Sequence, residues 1–402
     1  MALDSPYYLA AGTLVIEDGT DAGPYHPIGI WFPEPSPDGM GGHLAANRRF
    51  NVKVTGTSTA DLTANTEALR QACVRDETLY FRASGAGDIL ACRIREASVT
   101  ENEVDLLRAL RFERYLTVTL TTDPYWLAPW GDWTSALGTG FTAPSHFDIA
   151  APGGEVPALL SLRAVVTAAQ TGIYIGAQPS HDAGYDYIDA GGTSGTLSGT
   201  AVTLTAAASV NARANAGNHL ALVRLAFSVA GTAGIRNRVA TTGYNISSGV
   251  NVDQSVATSL TAPTSATSVD TGIITLPSCA LPTGTDGDGY TVAHNLLLTN
   301  TGGGTCTTSS VTRIPLDYAA VLARYSFSAA TGLLYDGDTD SVFLADVNGA
   351  GAPLLSVASI VHPLRAAPGA TTRVVVGTVG ANAGAFDVLS YRTRPRFLTA
   401  TG

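Results

Sequence analysis

One stretch of this chain, "STADLTANTEALRQACVRD" (Ser58–Asp76), carries apolar residues at helical spacing with no glycine or proline to break it. Leu62, Leu69, Ala72 and Cys73 fall on one face, which gives an amphipathic helix able to cover one side of a sheet. Ser58 and Asp61 resemble a capping box, with Asp in place of the longer Glu. Almost every other patterned segment alternates with the period of a strand. "RRFNVKVTG", just before the helix, sets Phe50, Val52 and Val54 on one face. One helix among many strands restricts the chain to the mainly β class.

The strand-like runs "TLYFRAS", "DILACRIREASVTEN" and "LRFERYLTVTLTTDPYW" follow the helix. Residues 1–135 therefore read as a β-sandwich domain with one packed helix, and all four tryptophans (31, 126, 130 and 133) lie in it. "PEPSPDGMGGH" is too rich in proline and glycine for a core element and reads as an ordered loop or arm. A linker is expected around Thr134–Gly154, where the composition shifts toward Thr, Ala and Gly. Short strands punctuated by turns then predict a jelly-roll sandwich over residues 136–330. Within it, "NISSGVNVDQSVATSLTAPTSATS" is weakly patterned and reads as a surface loop. Residues 331–402 end in two strands, Thr372–Val379 and Phe386–Arg392, after a sandwich that is already complete. Their expected partners are strands of the first domain.

Charge and composition exclude several functions. The formal net charge is −10 with no Lys/Arg run, which argues against a nucleic-acid surface. Hydrophobic residues make up 45% and charged residues 14%, so the chain can bury cores despite its 43 glycines. No apolar run is long enough to cross a bilayer, and the N-terminus lacks the pattern of a signal peptide, so synthesis in a cytoplasm is expected. Cysteines 73, 92, 279 and 306 form no CxxC and no zinc-ligand spacing, and they read as free thiols. A Cys279–Cys306 disulfide is conceivable, against the cytoplasmic expectation.

No catalytic motif is present, and neither a cofactor nor a metal is expected. "YDGDTD" (Asp336, Asp338, Asp340) imitates the start of a calcium loop but lacks its later glycine and glutamate, so it reads as an acidic turn. A sugar site would need an aromatic platform with polar groups beside it. The densest such group is Tyr185, Asp186 and Tyr187, although alternation sets Asp186 on the face opposite the two tyrosines.

Three passages together resemble the distal tail and minor tail proteins of siphovirus-type bacteriophages. They are "RRFNVKVTGTSTADLTANTEALRQAC", "ERYLTVTLTTDPYW", and "IVHPLRAAPGATTRVVVGTV" with the terminal "FDVLSYRTRPRFL". The resemblance implies a structural virion protein at the tail tip or baseplate, assembled in the host cytoplasm. Its first domain would form a ring hub joining the tail tube to the adsorption apparatus. It also implies a cyclic homo-oligomer, a hexamer with a trimer as runner-up, with the tail tube protein and tail hub or fibre proteins as partners. The middle unit resembles the galactose-binding-type, carbohydrate-binding-module-like sandwiches that such rings carry outward. An alternative is an adhesin recognising host-surface glycans through that unit. Trp31, Trp126, Trp130 and Arg394 are the expected subunit-interface residues, because Trp and Arg concentrate at interface cores. Two readings of the proline-aromatic ends stand: they steer the chain into an insertion and dock it on return, or they merely punctuate strands.

Overall fold

The structure, a computed structural model, describes residues 8–400 apart from 21–22, 40–41, 84–86, 103–111, 138–144, 179–187, 191–194, 198–201, 206–218, 230–233, 246–249, 262–267, 277–292, 301–305, 317–318, 324, 355–357 and 380–385; for the strands between 179 and 320 it describes the backbone. The protein is mainly β with one α-helix, and the chain divides into two compact units.

The first unit is Met1–Gly131 with Pro152–Ala158 and Thr393–Gly402. Its elements are β1 (Tyr8–Ala11), β2 (Leu14–Glu17), β3 (Tyr25–Trp31), β4 (Ala46–Thr55), α1 (Thr59–Ala72), β5 (Thr78–Arg82), β6 (Leu90–Glu101), β7 (Glu113–Thr122) and β8 (Trp126–Leu127). The alternation read in β4 sends Ala46, Arg48, Phe50, Val52 and Val54 inward. Phe50, Val52 and Val54 meet Leu116, Val118 and Leu120 of β7 and Leu62 and Leu69 of α1 in one buried cluster, with Arg48 as its charged neighbour over Trp126. Ser58 caps α1 by accepting from the Asp61 N–H at 3.1 Å. Asp61 in turn accepts from the N–H and hydroxyl of Thr57, one residue before the cap. At Gly56 a Cβ would come within 2.5 Å of the Leu62 nitrogen, so only glycine lets the chain turn this tightly from β4 into the helix.

β6 serves two sheets. A register shift between Ile94 and Glu96 bends it, so that its first part pairs with β5 and its second with β7. One antiparallel sheet orders β3-β4-β7-β6, and the other runs β2-β1-β5-β6-β8.

The second unit is Asp132–Ala151 and Leu159–Arg392. It opens with β9 (Thr134–Ser135), β10 (Ser145–Ile149), β11 (Val156–Val166) and β12 (Gly172–Gln178). Strands β13 (Ile188–Ala190), β14 (Gly195–Leu197), β15 (Val202–Thr205), β16 (His219–Val229), β17 (Gly234–Asn245), β18 (Val250–Thr261), β19 (Ser268–Leu276), β20 (Ala293–Asn300) and β21 (Cys306–Leu316) follow. They form two antiparallel sheets, β13-β21-β16-β19 with β14 also on β21, and β15-β20-β17-β18. Taking β13 and β14 as one position, the orders are 1-8-3-6 and 2-7-4-5, the two interleaved Greek keys of a jelly roll. The chain then continues through β22 (Ala319–Ala323), β23 (Thr331–Asp336), β24 (Ser341–Asp346), β25 (Ala350–Pro353), β26 (Ala358–His362), β27 (Arg365–Ala366), β28 (Thr372–Val379) and β29 (Phe386–Phe397).

The jelly roll is thus narrower than the sequence implied. β12 and β22 pair directly, with Ala177 opposite Ala319, so the jelly roll is an insertion into a hairpin whose ends meet at one point. The hairpin belongs to a separate sheet, β10-β28-β12-β22-β26. β11 belongs to another, with β23, β24 and β25 on one side and β29 on the other. Two expectations are corrected. Thr372–Val379 pairs with β10 and β12 of the second unit, and of the last strand only Thr393–Phe397 joins the first. Within the segment read as a surface loop, Val250–Thr261 is a full strand on β17. Val250, Val252 and Val256 do alternate there, but Gln254 interrupts the apolar face. The expected linker likewise contains β10.

Candidate assembly surface

The four-stranded sheet of the first unit places residues in rows across its strands. Trp31, Arg49, Thr119 and Ser98 form one row, and Ile30, Phe50, Val118 and Val99 the next. Successive side chains alternate faces, so the Ile30 row points to the helix side and the Trp31 row to the other. The side away from the helix is dominated by hydroxyls and amides. The Thr117 hydroxyl lies 2.9 Å from Asn51 Oδ1 and 3.0 Å from Asn102 Oδ1, and Thr121 reaches Asn47. Lys53 pairs with Glu113 at 3.8 Å near one end of this side, while Arg114 pairs with Glu101 at 3.6 Å at the same end of the helix side.

Among the described residues both edges of this sheet are open. Among the described residues β3 pairs only with β4, and the Glu96–Glu101 part of β6 pairs only with β7. The β3 edge carries a bulge between Pro27 and Gly29, and the extra residue, Ile28, is 57% exposed. At the opposite edge, Ala97 and Val99 pack against the core beside the C-terminal turn of α1.

The residues proposed from sequence separate into different roles. Trp31 is 58% exposed, on the β3 edge. Trp126 is corrected: it is fully buried and cannot meet another subunit. The Pro124–Tyr125 corner turns its ring inward against Phe32 and Phe81, and the Arg48 guanidinium lies 4.1 Å from its centroid. Arg48 is buried as well, donating from Nε to the Thr122 hydroxyl at 2.7 Å and from Nη2 to the Pro124 carbonyl at 3.2 Å. Burial lowers the Arg48 pKa, and the Cys92 sulfur beside it acts in the opposite direction. Burial pushes the Cys73 and Cys92 thiols up to about 12, so both are neutral and free, as the spacing implied.

Trp130 is half-buried, with the Arg394 guanidinium 5.9 Å from its ring centroid. Arg394 Nε also donates to the Ala128 carbonyl at 2.7 Å, and the Ala128 N–H donates to the Pro395 carbonyl. Arg396 lies over Tyr125 at 4.4 Å and donates to the Pro157 carbonyl. The Arg-Pro-Arg run therefore docks on the Pro-aromatic segment of the first unit, and Arg394 acts there as an internal clamp.

Tyr185, Asp186 and Tyr187 lie outside the described residues. In the acidic turn, Asp336 accepts from the Asp338 N–H and the Thr339 hydroxyl. Asp340 is held by Tyr335 and by both terminal nitrogens of Arg365, at 2.8 and 2.7 Å. The carboxylates serve the hairpin and one arginine. The sequence reading missed Ile28, Val74, Ala97 and Val99 at the open edges, because an unpaired edge has no local signature.

No family model matches the chain, and no curated protein matches it. Among solved structures it is similar to the SPP1 Dit (gp 19.1) protein, described as a paradigm of the hub adsorption apparatus in phages infecting Gram-positive hosts. That match has 10% identity over 97% of this chain and 99% of that one, with a TM-score of 0.32. It is also similar to a chain of the phage p2 baseplate in its activated conformation, at 10% identity over 78% and 98%, TM-score 0.21. The infectious bursal disease virus VP2 subviral particle aligns at 10% identity over 97% and 76%, TM-score 0.17. At such identities and scores the likeness assigns no function.

Proposed function

We propose that the chain is a structural protein of a bacteriophage tail tip, and that its first unit closes into a ring around the tail axis. The observation that carries this reading is the four-stranded sheet whose two edges are open among the described residues. Unpaired edges are a liability that proteins cover or close, and closing a sheet on itself removes them. An even number of antiparallel strands gives the two edge strands opposite directions. Copies related by rotation about an axis all point the same way, so β3 of one copy would run antiparallel to β6 of the next and continue the pattern. Such a contact is heterologous and head-to-tail, the kind that closes rings. The resemblance read in the sequence supplies the setting: a hub of six copies, with three as the runner-up, held between the tail tube protein and the hub or fibre proteins.

In the same reading the inserted jelly roll is carried by the ring. Its ends meet at one point of a hairpin, so the module can be gained or lost without breaking its carrier. The resemblance read in the sequence adds a second role, contact with host-surface glycans through the jelly roll.

Mass photometry and negative-stain microscopy of the full chain, alone and mixed with the tail tube protein of the same virion, test the ring. A closed cyclic particle is expected. A monomer under every condition would show that the edges serve another purpose.

A further inference from the structure

We infer that the groove between the C-terminal turn of α1 and the free edge of β6 is the socket for a second copy of this chain, and that Ile28 and Ile30 of the neighbour's β3 fill it. This rests on the ring reading above and specifies which side chains make the joint. The groove measures about 440 Å³ and is lined by Arg70, Cys73, Val74, Arg75, Arg95, Glu96, Ala97 and Val99. Its floor is apolar: Ala97 and Val99 pack on the core, and Val74 is 42% exposed. An open apolar floor beside an unpaired strand is surface that a monomer gains nothing by leaving wet.

Three arguments select the occupant. The first is register. Ile30 and Val99 stand in the same row of the sheet and on the same face, the one that packs on the core. Rotation of one copy about an axis along the strands brings a neighbour's Ile30 beside Val99. The stagger of a closed sheet moves it by an even number of residues, because an odd shift would turn every side chain to the wrong face. A shift of two residues toward the start of the strand sets it beside Ala97.

The second is volume. The groove is larger than one aliphatic side chain, so Ile30 alone would leave it part empty. Ile28, the extra residue of the bulge, has no partner position on β4 and is free to turn into that space. The third is charge. Residues 17–34, which contain β3 and its flanking turns, hold Glu17, Asp18, Asp21 and Glu34 and no lysine or arginine. The groove lining holds three arginines and one glutamate; Arg95 is held by Asp123 at 2.6 Å and Arg70 lies 3.9 Å from Glu67, which leaves Arg75 to carry the argument. Arg75 is largely exposed, and Asp76, 3.9 Å away, is held more closely by Arg93 at 2.7 Å, so Arg75 can reach across the joint at little cost.

The test uses the full chain and three variants, Ile28→Arg, which the groove arginines repel, Val74→Glu, which the acidic flanks of β3 repel, and the double variant combining the two. Both positions are exposed in the monomer, so far-UV circular dichroism and melting temperature are expected to stay near wild type. Each single variant is expected to convert the ring to monomers at concentrations where wild type is assembled. The double variant is expected to recover rings, since its glutamate and arginine face each other only across a head-to-tail contact. If wild type assembles while the single variants assemble equally well, the socket is refuted and the ring stands. Dispersal without recovery in the double variant would refute the pairing of Ile28 with this groove. A wild-type chain that never assembles, even with the tail tube protein, would overturn both readings.

Discussion

Arg48 and Trp126 lie against one another in the first unit, the guanidinium 4.1 Å from the ring centroid and both side chains withdrawn from water. One residue comes from the strand before the helix and the other from the corner after β7, so their contact fixes how that corner folds back on the sheet. Trp130, four residues on, is only half-buried, beside the half-buried Arg394.

The two tryptophans should therefore respond differently to truncation. Trp126→Ala is expected to destabilise the first unit by about 3–5 kcal/mol, the range for a buried aromatic. Trp130→Ala is expected to cost less than about 1.5 kcal/mol, as for a partly exposed stack. Urea unfolding of both variants measures the difference, and equal losses would contradict the burial described.

The helix offers a graded series. Leu69 is fully buried, so Leu69→Ala should cost about 2–5 kcal/mol. Ser58→Ala removes one cap bond and should cost about 1 kcal/mol. Thermal melts of the two variants should keep that order.

The cap also titrates. Hydrogen bonds from the Thr57 N–H and hydroxyl hold the Asp61 carboxyl below its ordinary value of 3.8. A depressed folded-state pKa adds stability above the unfolded-state value and loses it as pH falls through the folded one. Helix stability should thus decline as the solution is acidified below 3.8, and Asp61→Asn should flatten that decline. Circular dichroism across roughly pH 2 to 6, which brackets the ordinary carboxylate range, reads it. Parallel profiles for the two proteins would remove Asp61 from the account.

In the second unit Gly332 faces Val165 across a strand pair, and a Cβ there would fall 1.9 Å from the Ala164 carbonyl oxygen. Backbone cannot yield as a flexible side chain can. Gly332→Ala is expected to cost about 1–3 kcal/mol or more through overpacking, read as a lowered unfolding midpoint. A neutral outcome would mean that β11 and β23 are spaced more widely than described.

Cys73 and Cys92 should be silent to thiol reagents in the folded protein. Burial raises both to about 12, so neither forms appreciable thiolate at neutral or mildly alkaline pH. Peptide mapping after alkylation should find both unmodified in the native state and both modified in denaturant. Labelling of either in the folded chain would show that its cover opens.

The sequence by itself determined what depends on neighbours in the chain. The helix at 59–72 follows from its uninterrupted spacing, and the inward set of β4 from its alternation, because period and capping are local properties. The jelly roll was legible as a class from short strands and turns, without its limits. Tertiary structure alone decided which strands are partners. β12 pairs with β22 across the whole jelly roll, and β28 returns to β12 and not to the first unit. Strand pairing is made between segments far apart in sequence, and backbone hydrogen bonds carry no residue code. Trp126 shows the same limit for single residues: a tryptophan beside prolines suits a core or an interface equally, and only the fold of the corner buried it. The open edges of β3 and β6 were the least legible feature. An edge is defined by a strand that does not come, and no residue in the sequence records that.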